Sequence, residues 1–232
     1  MVELGIAKKG LRCSRCGSDD VVLVRRYSGE ALCSRCLKKS LLTRMKRSVS
    51  KHGLLRRDDR ILYIRTLLPY DGVLWDLFSE MESPFPVILE VMRLEVGHPL
   101  DLWGEVLNLS RNTSSGDVKV VLPAILDDLA SLFLRFVFTG SPDLLLLGGR
   151  VFIAMREIRN LISPFIELPI EELWSLIDRR SGFHREISQF VSKDPYLRMV
   201  WRLEVDIPGM RFNLLRSLER EEFLKSIGIV FR

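Results

Sequence analysis

The stretch from Cys13 to Cys36 holds every cysteine of this 232-residue chain, in two C-x-x-C pairs, and no other feature limits the possible folds so tightly. Each pair can wrap one side of a tetrahedral ion, and two pairs at this separation match the knuckles of a four-cysteine zinc ribbon. Gly17, directly after the first pair, supplies the backbone freedom that a knuckle turn demands. The intervening VVLVRRYS, followed by Gly29 and ALC, predicts a hairpin with its turn near Gly29, which carries the second knuckle back to the first. Four thiolates fill a coordination shell, so the spacing predicts a structural zinc on Cys13, Cys16, Cys33 and Cys36 with no open position for water or substrate. Four unrelated buried thiols, or a redox pair, are the alternatives; the second lacks the βαβ surroundings of a thioredoxin-like motif.

A ribbon uses few residues, and composition says what the rest is for. At 47% hydrophobic and 28% charged, the chain can bury a core beyond the ribbon. Its apolar runs, such as LLLLGG and LASLFL, fall far short of the roughly 20 residues a membrane span needs. The opening MVELGIAKKG lacks the apolar region of a secretory signal, so the expectation is a cytoplasmic protein with no membrane contact, whose thiols stay reduced. Charge is unevenly placed. Residues 1–65 carry 17 Lys and Arg against 6 Asp and Glu, a balance of +11; the remainder carries 18 against 24, a balance of −6. A cationic front on a mildly acidic body points to a polyanion-binding head.

The segment after the ribbon sharpens this. In LKKSLLTRMKRSVSKHG, Leu37, Leu41, Met45 and Val49 recur every four residues with Leu42 beside them, which predicts an amphipathic helix stopped by Gly53. Lys39, Arg44, Lys46, Arg47 and Lys51 fall away from that stripe, and only Lys38 interrupts the pattern. Arg25 and Arg26 on the ribbon and Arg56 and Arg57 beyond the helix extend the cationic surface. Such charge runs are most often solvated faces, but the near absence of compensating acids here points to a phosphate backbone as partner.

In this order, a C-x-x-C-G knuckle, RRYSGEALC-x-x-C, a basic helix and GLLRRDDRILYI, the chain resembles the tRNA 2-thiolation enzymes. That family comprises the two-thiouridine synthetases and the cytoplasmic tRNA thiolation proteins, within the PP-loop ATP pyrophosphatases. The resemblance implies a Rossmann-like parallel sheet with a phosphate loop, SGGKDS, after the strand matching ILYI. This chain reads RTLLPYDG there, Arg65 to Gly72. Leucine side chains and a proline without an N–H replace the glycines whose amides would approach phosphates. Asp71 and Gly72 remain as relics of a degenerate nucleotide site. Asp127 and Asp128, in VVLPAILDDLASLFLRFVFTG, match the acidic pair of a second family landmark, GHNLDDEAQT, whose Gly-His-Asn is replaced by Pro123, Ala124 and Ile125. On physical grounds alone, two acids at a helix start are more often capping residues than catalytic ones. A third landmark, REIRNLISPFIELPIEELWSLI, places Pro169, Glu171 and Glu172 at a helix start. With no cysteine after Cys36, neither an iron-sulfur cluster nor a sulfur relay is expected in the body, and with the loop glycines replaced no ATP is expected either.

The predicted organisation is therefore α/β: a zinc ribbon over 1–36, a basic linker helix over 37–57, a degenerate PP-loop-type α/β domain with helices on both faces over 58–168, and a helical extension over 169–232. Within the body, strands are expected near 61–65, at PVILEVMRLEV and at DVKVVLP, helices over 73–82 and 124–138, and a polar loop over about 97–116, with EELWSLIDRR, FHREISQFVSK and LLRSLEREEFLKSIG as helical segments of the tail. His52, His98 and His184 stand far apart, without partners at metal spacing, and are expected as surface or capping residues. The expected function is that of a catalytically silent paralogue of a tRNA 2-thiolation enzyme, binding tRNA and supporting an active PP-loop subunit or a second copy of itself. A ribbon module for RNA or protein with no link to thiolation, and an ATP-dependent tRNA-modifying enzyme with an altered nucleotide site, are the alternatives.

Overall fold

Parallel strands need a crossover of a dozen or more residues between them, usually a helix, and the strands expected in the body are spaced to allow it. That is the arrangement in the computed structural model, which describes residues 10–102, 104, 105, 118–139, 160–177 and 183–218. The ribbon hairpin comes first, β1 (Val21–Val24) antiparallel to β2 (Ala31–Cys33). Helix α1 (Ser34–His52) follows without a linker, so Cys36 sits in its first turn. Gly53 ends α1 in the left-handed region at φ 59, ψ 37, where its N–H returns to the carbonyl of Val49. The buried stripe is Leu37, Leu41 and Met45, then Ser48 in place of the expected Val49, because a 3.6-residue helix drifts away from a strict four-residue spacing.

The body is a four-stranded parallel sheet in the order β4-β3-β5-β6, built from β3 (Arg60–Arg65), β4 (Ile88–Arg93), β5 (Val118–Val121) and β6 (Leu161–Ile162). Helix α2 (Asp71–Glu82) makes the β3-to-β4 crossover and buries Leu74, Leu77, Phe78 and Met81, the i, i+3, i+4, i+7 set. Helix α3 (Leu126–Thr139) follows β5. The tail carries α4 (Ile170–Ile177), α5 (Phe183–Ser192), α6 (Pro195–Asp206) and α7 (Met210–Leu218). The Tyr63 ring anchors the core beneath β3, with ring centres of Trp75, Phe78 and Phe165 at 5.0, 5.3 and 6.3 Å. One continuous apolar core runs from Cys13 of the ribbon to Leu215 of α7.

Most sequence-expected elements are present at these bounds. The strand in PVILEVMRLEV is shorter, six residues, and as the edge of the sheet it leaves Ile88 and Val91 exposed. The front of the polar loop expected over about 97–116 is helical instead, at 99–102, 104 and 105, and NLSRNTSSGD lies outside the described residues, as do LLLLGG and most of REIRN. Helix α6 was not anticipated as a separate element. No helix among the described residues is long and apolar enough to cross a membrane.

Candidate metal centre, its latch and the switch point

The hairpin and the first turn of α1 bring the four cysteine sulfurs within 4.8 Å of one another. A tetrahedron with metal–sulfur bonds of about 2.3 Å has edges of about 3.8 Å, and Cys16 Sγ and Cys33 Sγ stand 3.6 Å apart. The four donors are close enough to share one tetrahedral ion. Backbone groups complete the knuckle: the Cys13 N–H donates to the Ser18 carbonyl at 2.7 Å and the Gly17 N–H to the Cys13 carbonyl at 2.8 Å. Burial works against ionising Cys13, yet backbone hydrogen bonds from Cys33, Arg15 and Cys16 hold its thiol down to about 6.

The ribbon is fastened to the body by a buried ionic latch that the sequence reading did not foresee. Arg25, just past β1, was expected in the exposed cationic patch; it is only 5% exposed. Its guanidinium grips Glu172 of α4 through Nε at 3.1 Å and Nη2 at 2.7 Å, Glu30 at 2.6 Å and Ser40 of α1 at 2.8 Å. Arg44, half-buried, adds a second cation to Glu172 at 3.1 Å, while the Tyr27 hydroxyl donates to the same carboxylate at 2.8 Å and accepts from Arg44. Glu171, one residue earlier, diverges by about 100° around the helix and pairs instead with Arg211 of α7. Arg211 also meets Asp127 and Glu204, all inside the protein. Both glutamates sit in the first turn of α4, where the helix dipole favours their charge. Of the nine expected cations, Arg26, Lys39, Lys46, Arg47, Lys51, Arg56 and Arg57 are exposed.

In an open parallel sheet ligands sit beyond the carboxyl ends of the strands where the strand order reverses. Here the reversal falls between β3 and β5, the place flanked by Arg65–Gly72 and by the start of α3. The chain closes that crevice with its own side chains. Tyr70, fully buried, donates its hydroxyl to both carboxylate oxygens of Asp128 at 2.8 Å, and Asp128 accepts the Ile125 N–H at 2.9 Å. Burial pushes Asp128 up to about 8, against the lowering pull of the Ile125 N–H and the Tyr70 hydroxyl. Asp71, in the first turn of α2, pairs with Arg65 at 2.5 Å and accepts the Thr66 N–H at 3.2 Å. Asp127 faces away, holding the Ile170 N–H at 2.8 Å and Arg211. Thus Asp71, Asp127 and Asp128 are inward structural acceptors, and of the four positions expected in a degenerate nucleotide site, Asp71, Gly72, Asp127 and Asp128, Gly72 alone is exposed. His98 caps its own turn, its Nδ1 accepting the Leu100 N–H at 3.2 Å.

The fold and the cage define a class: a doubly wound parallel α/β protein fronted by a four-cysteine ribbon. No protein-family model and no curated protein matches this chain. Among solved structures it is similar to the U34-tRNA thiolase NcsA from Methanococcus maripaludis, determined with its [4Fe-4S] cluster. The likeness has a TM-score of 0.62 at 14% identity and covers 95% of this chain and 98% of that one. At that identity the likeness is one of fold.

Proposed function

We propose that this protein is a catalytically inactive paralogue of the tRNA 2-thiolation enzymes, which binds tRNA through its cationic front and supports an active PP-loop subunit. The reading draws on a likeness that spans nearly the whole of both chains, one of which is a tRNA thiolase. The observation that carries the loss of activity is the Tyr70–Asp128 tie across the switch point. A phosphate at the start of α2 would meet the Asp71 carboxylate already seated in that first turn, and Pro69 offers it no N–H. Seven exposed cations on ribbon, α1 and the following turn provide contacts that position RNA without reading its sequence. In this reading the cage holds zinc in a purely structural role, with all four positions filled by thiolate, and the partner subunit supplies ATP and sulfur chemistry.

Calorimetric titration of the metal-loaded protein with ATP·Mg²⁺ and, separately, with total tRNA tests the proposal. Tight tRNA binding with no heat from ATP is expected. ATP binding at micromolar strength would overturn the inactive-paralogue reading in favour of an enzyme with an altered nucleotide site. Binding of neither would leave a ribbon module with no link to tRNA.

A further inference from the structure

An open groove of about 530 Å³ runs between α1 and α7, away from both the cage and the switch point. One wall carries Arg44, Arg47 and Lys51, spaced three and four residues apart on a single face of α1; the opposite wall carries Asn213 and Arg216, three apart on α7. From Arg44 to Lys51 the cations extend over about 10 Å of helix at 1.5 Å per residue. Of the four lining cations, Arg44 also serves Glu172 of the latch at 3.1 Å and Arg47 holds Glu167, the one carboxylate among the described lining residues, at 2.5 Å. Arg216 is exposed and has no ion-pair partner among the described residues. The floor is aromatic: Tyr27 and Phe212 meet edge to face at 5.1 Å, and the Arg44 guanidinium lies over both rings at 5.7 and 5.6 Å. Gly209 closes one end at φ +88, where an added Cβ would stand 3.4 Å from Tyr27 Cβ, so the turn before α7 approaches the ribbon closely.

We propose that this groove seats an unpaired stretch of RNA, its phosphates running between the two cationic walls. The inference rests on the RNA-binding reading above and assigns the tail helix α7 to the interface, which that reading leaves to the front of the chain. Cations along about 10 Å of α1 exceed what one phosphate monoester needs and suit successive phosphodiesters. Aromatic surface beside cations is the usual composition of single-strand seats.

The test is fluorescence anisotropy with labelled total tRNA across a range of salt, for the wild type, Lys51→Glu/Arg216→Glu, and Lys193→Glu/Arg198→Glu. The last pair makes the same charge change on exposed residues outside the groove. Circular dichroism and metal content check that all three are folded. The groove variant is expected to bind at least tenfold more weakly, with a log K against log salt slope shallower by about 1.4, two contacts at about 0.7 each for single strands. The control is expected to stay within twofold of wild type. Equal affinity and slope for the two variants would overturn the groove while leaving RNA binding intact. A wild type that binds no tRNA would remove the RNA reading itself, and the groove with it.

Discussion

The cysteine cage and the switch-point crevice both gather chemistry-bearing side chains from separate elements, and they end in opposite states. In the cage, four sulfurs within 4.8 Å face one another and have no better partner than a shared ion. In the crevice, Tyr70, Asp71 and Asp128 are each answered from within the chain, a hydroxyl for Asp128 and Arg65 with a backbone N–H for Asp71, while Asp127, turned away from it, is held by Arg211 and the start of α4. Convergence alone does not make a site; an unfilled valence does. The same criterion separates Arg25, consumed by Glu172 and Glu30, from its neighbour Arg26, which is exposed.

This contrast can be broken at several points. The largest effect is expected at the cage, where structural zinc contributes on the order of 10–16 kcal/mol in isolated fingers. Replacing Cys13 and Cys33 together by serine should abolish metal retention and the amide protection of β1 and β2, read by elemental analysis and hydrogen exchange. Full protection without metal would mean that the latch, not the ion, organises the ribbon. Next comes the latch: Glu172→Ala removes the carboxylate that Arg25 and Arg44 share and leaves the Arg25 side chain, only 4% exposed, with Glu30 as its one carboxylate, so it should cost about 3 kcal/mol in urea denaturation. A loss below about 1 kcal/mol would show that ribbon and body are energetically independent.

The crevice gives a pH-dependent test. Asp128 holds its proton to about 8 when folded, whereas the unfolded side chain releases it near the ordinary value of 3.8. Between those values the folded state binds more protons, so this group's contribution to stability falls as pH rises from about 4 to about 8, by at most about 1.4 kcal/mol per pH unit. Asp128→Asn still accepts from Tyr70 or Ile125 and does not titrate. Its stability relative to wild type should therefore improve steadily from pH 5 to pH 8, measured by denaturant midpoints; a constant difference would place an ionised carboxylate in the crevice. The smallest effect belongs to Arg12→Ala, which removes an exposed pair with Asp19 and should change stability by no more than about 0.5 kcal/mol.

Much of the scaffold could be read from local spacing. The hairpin, α1, β3, α2, β5 and α3 all carry their apolar period in contiguous sequence, and the four-cysteine pattern identified the cage. Helix α6 escaped that reading because its apolar positions are interrupted by arginines and only Leu197 and Val200 are buried apolar residues. Its signal was nonetheless present in Asp194-Pro195: the carboxylate accepts the N–H groups of Tyr196 and Leu197 at 2.7 and 3.2 Å, with proline at the first helical position. Glu171 and Glu172 were legible as helix-start acids but not as two arms reaching different cations. Arg211, in a segment with no motif, gave no sign of its buried partners.

By itself the sequence determined what depends on neighbours a few residues away: the two knuckles, the amphipathic stripe of α1 with its glycine stop, and the alternation that builds a parallel sheet. The tertiary structure alone decided which charged groups remain outside. Arg25 and Glu172 lie 147 residues apart, and Tyr70 and Asp128 lie 58 apart. Both pairs exist only because the strand order and the docking of the ribbon bring them together, and a buried charge or hydroxyl is tolerated only where such a partner waits. Composition fixed the number of cations; packing chose which of them still face solvent.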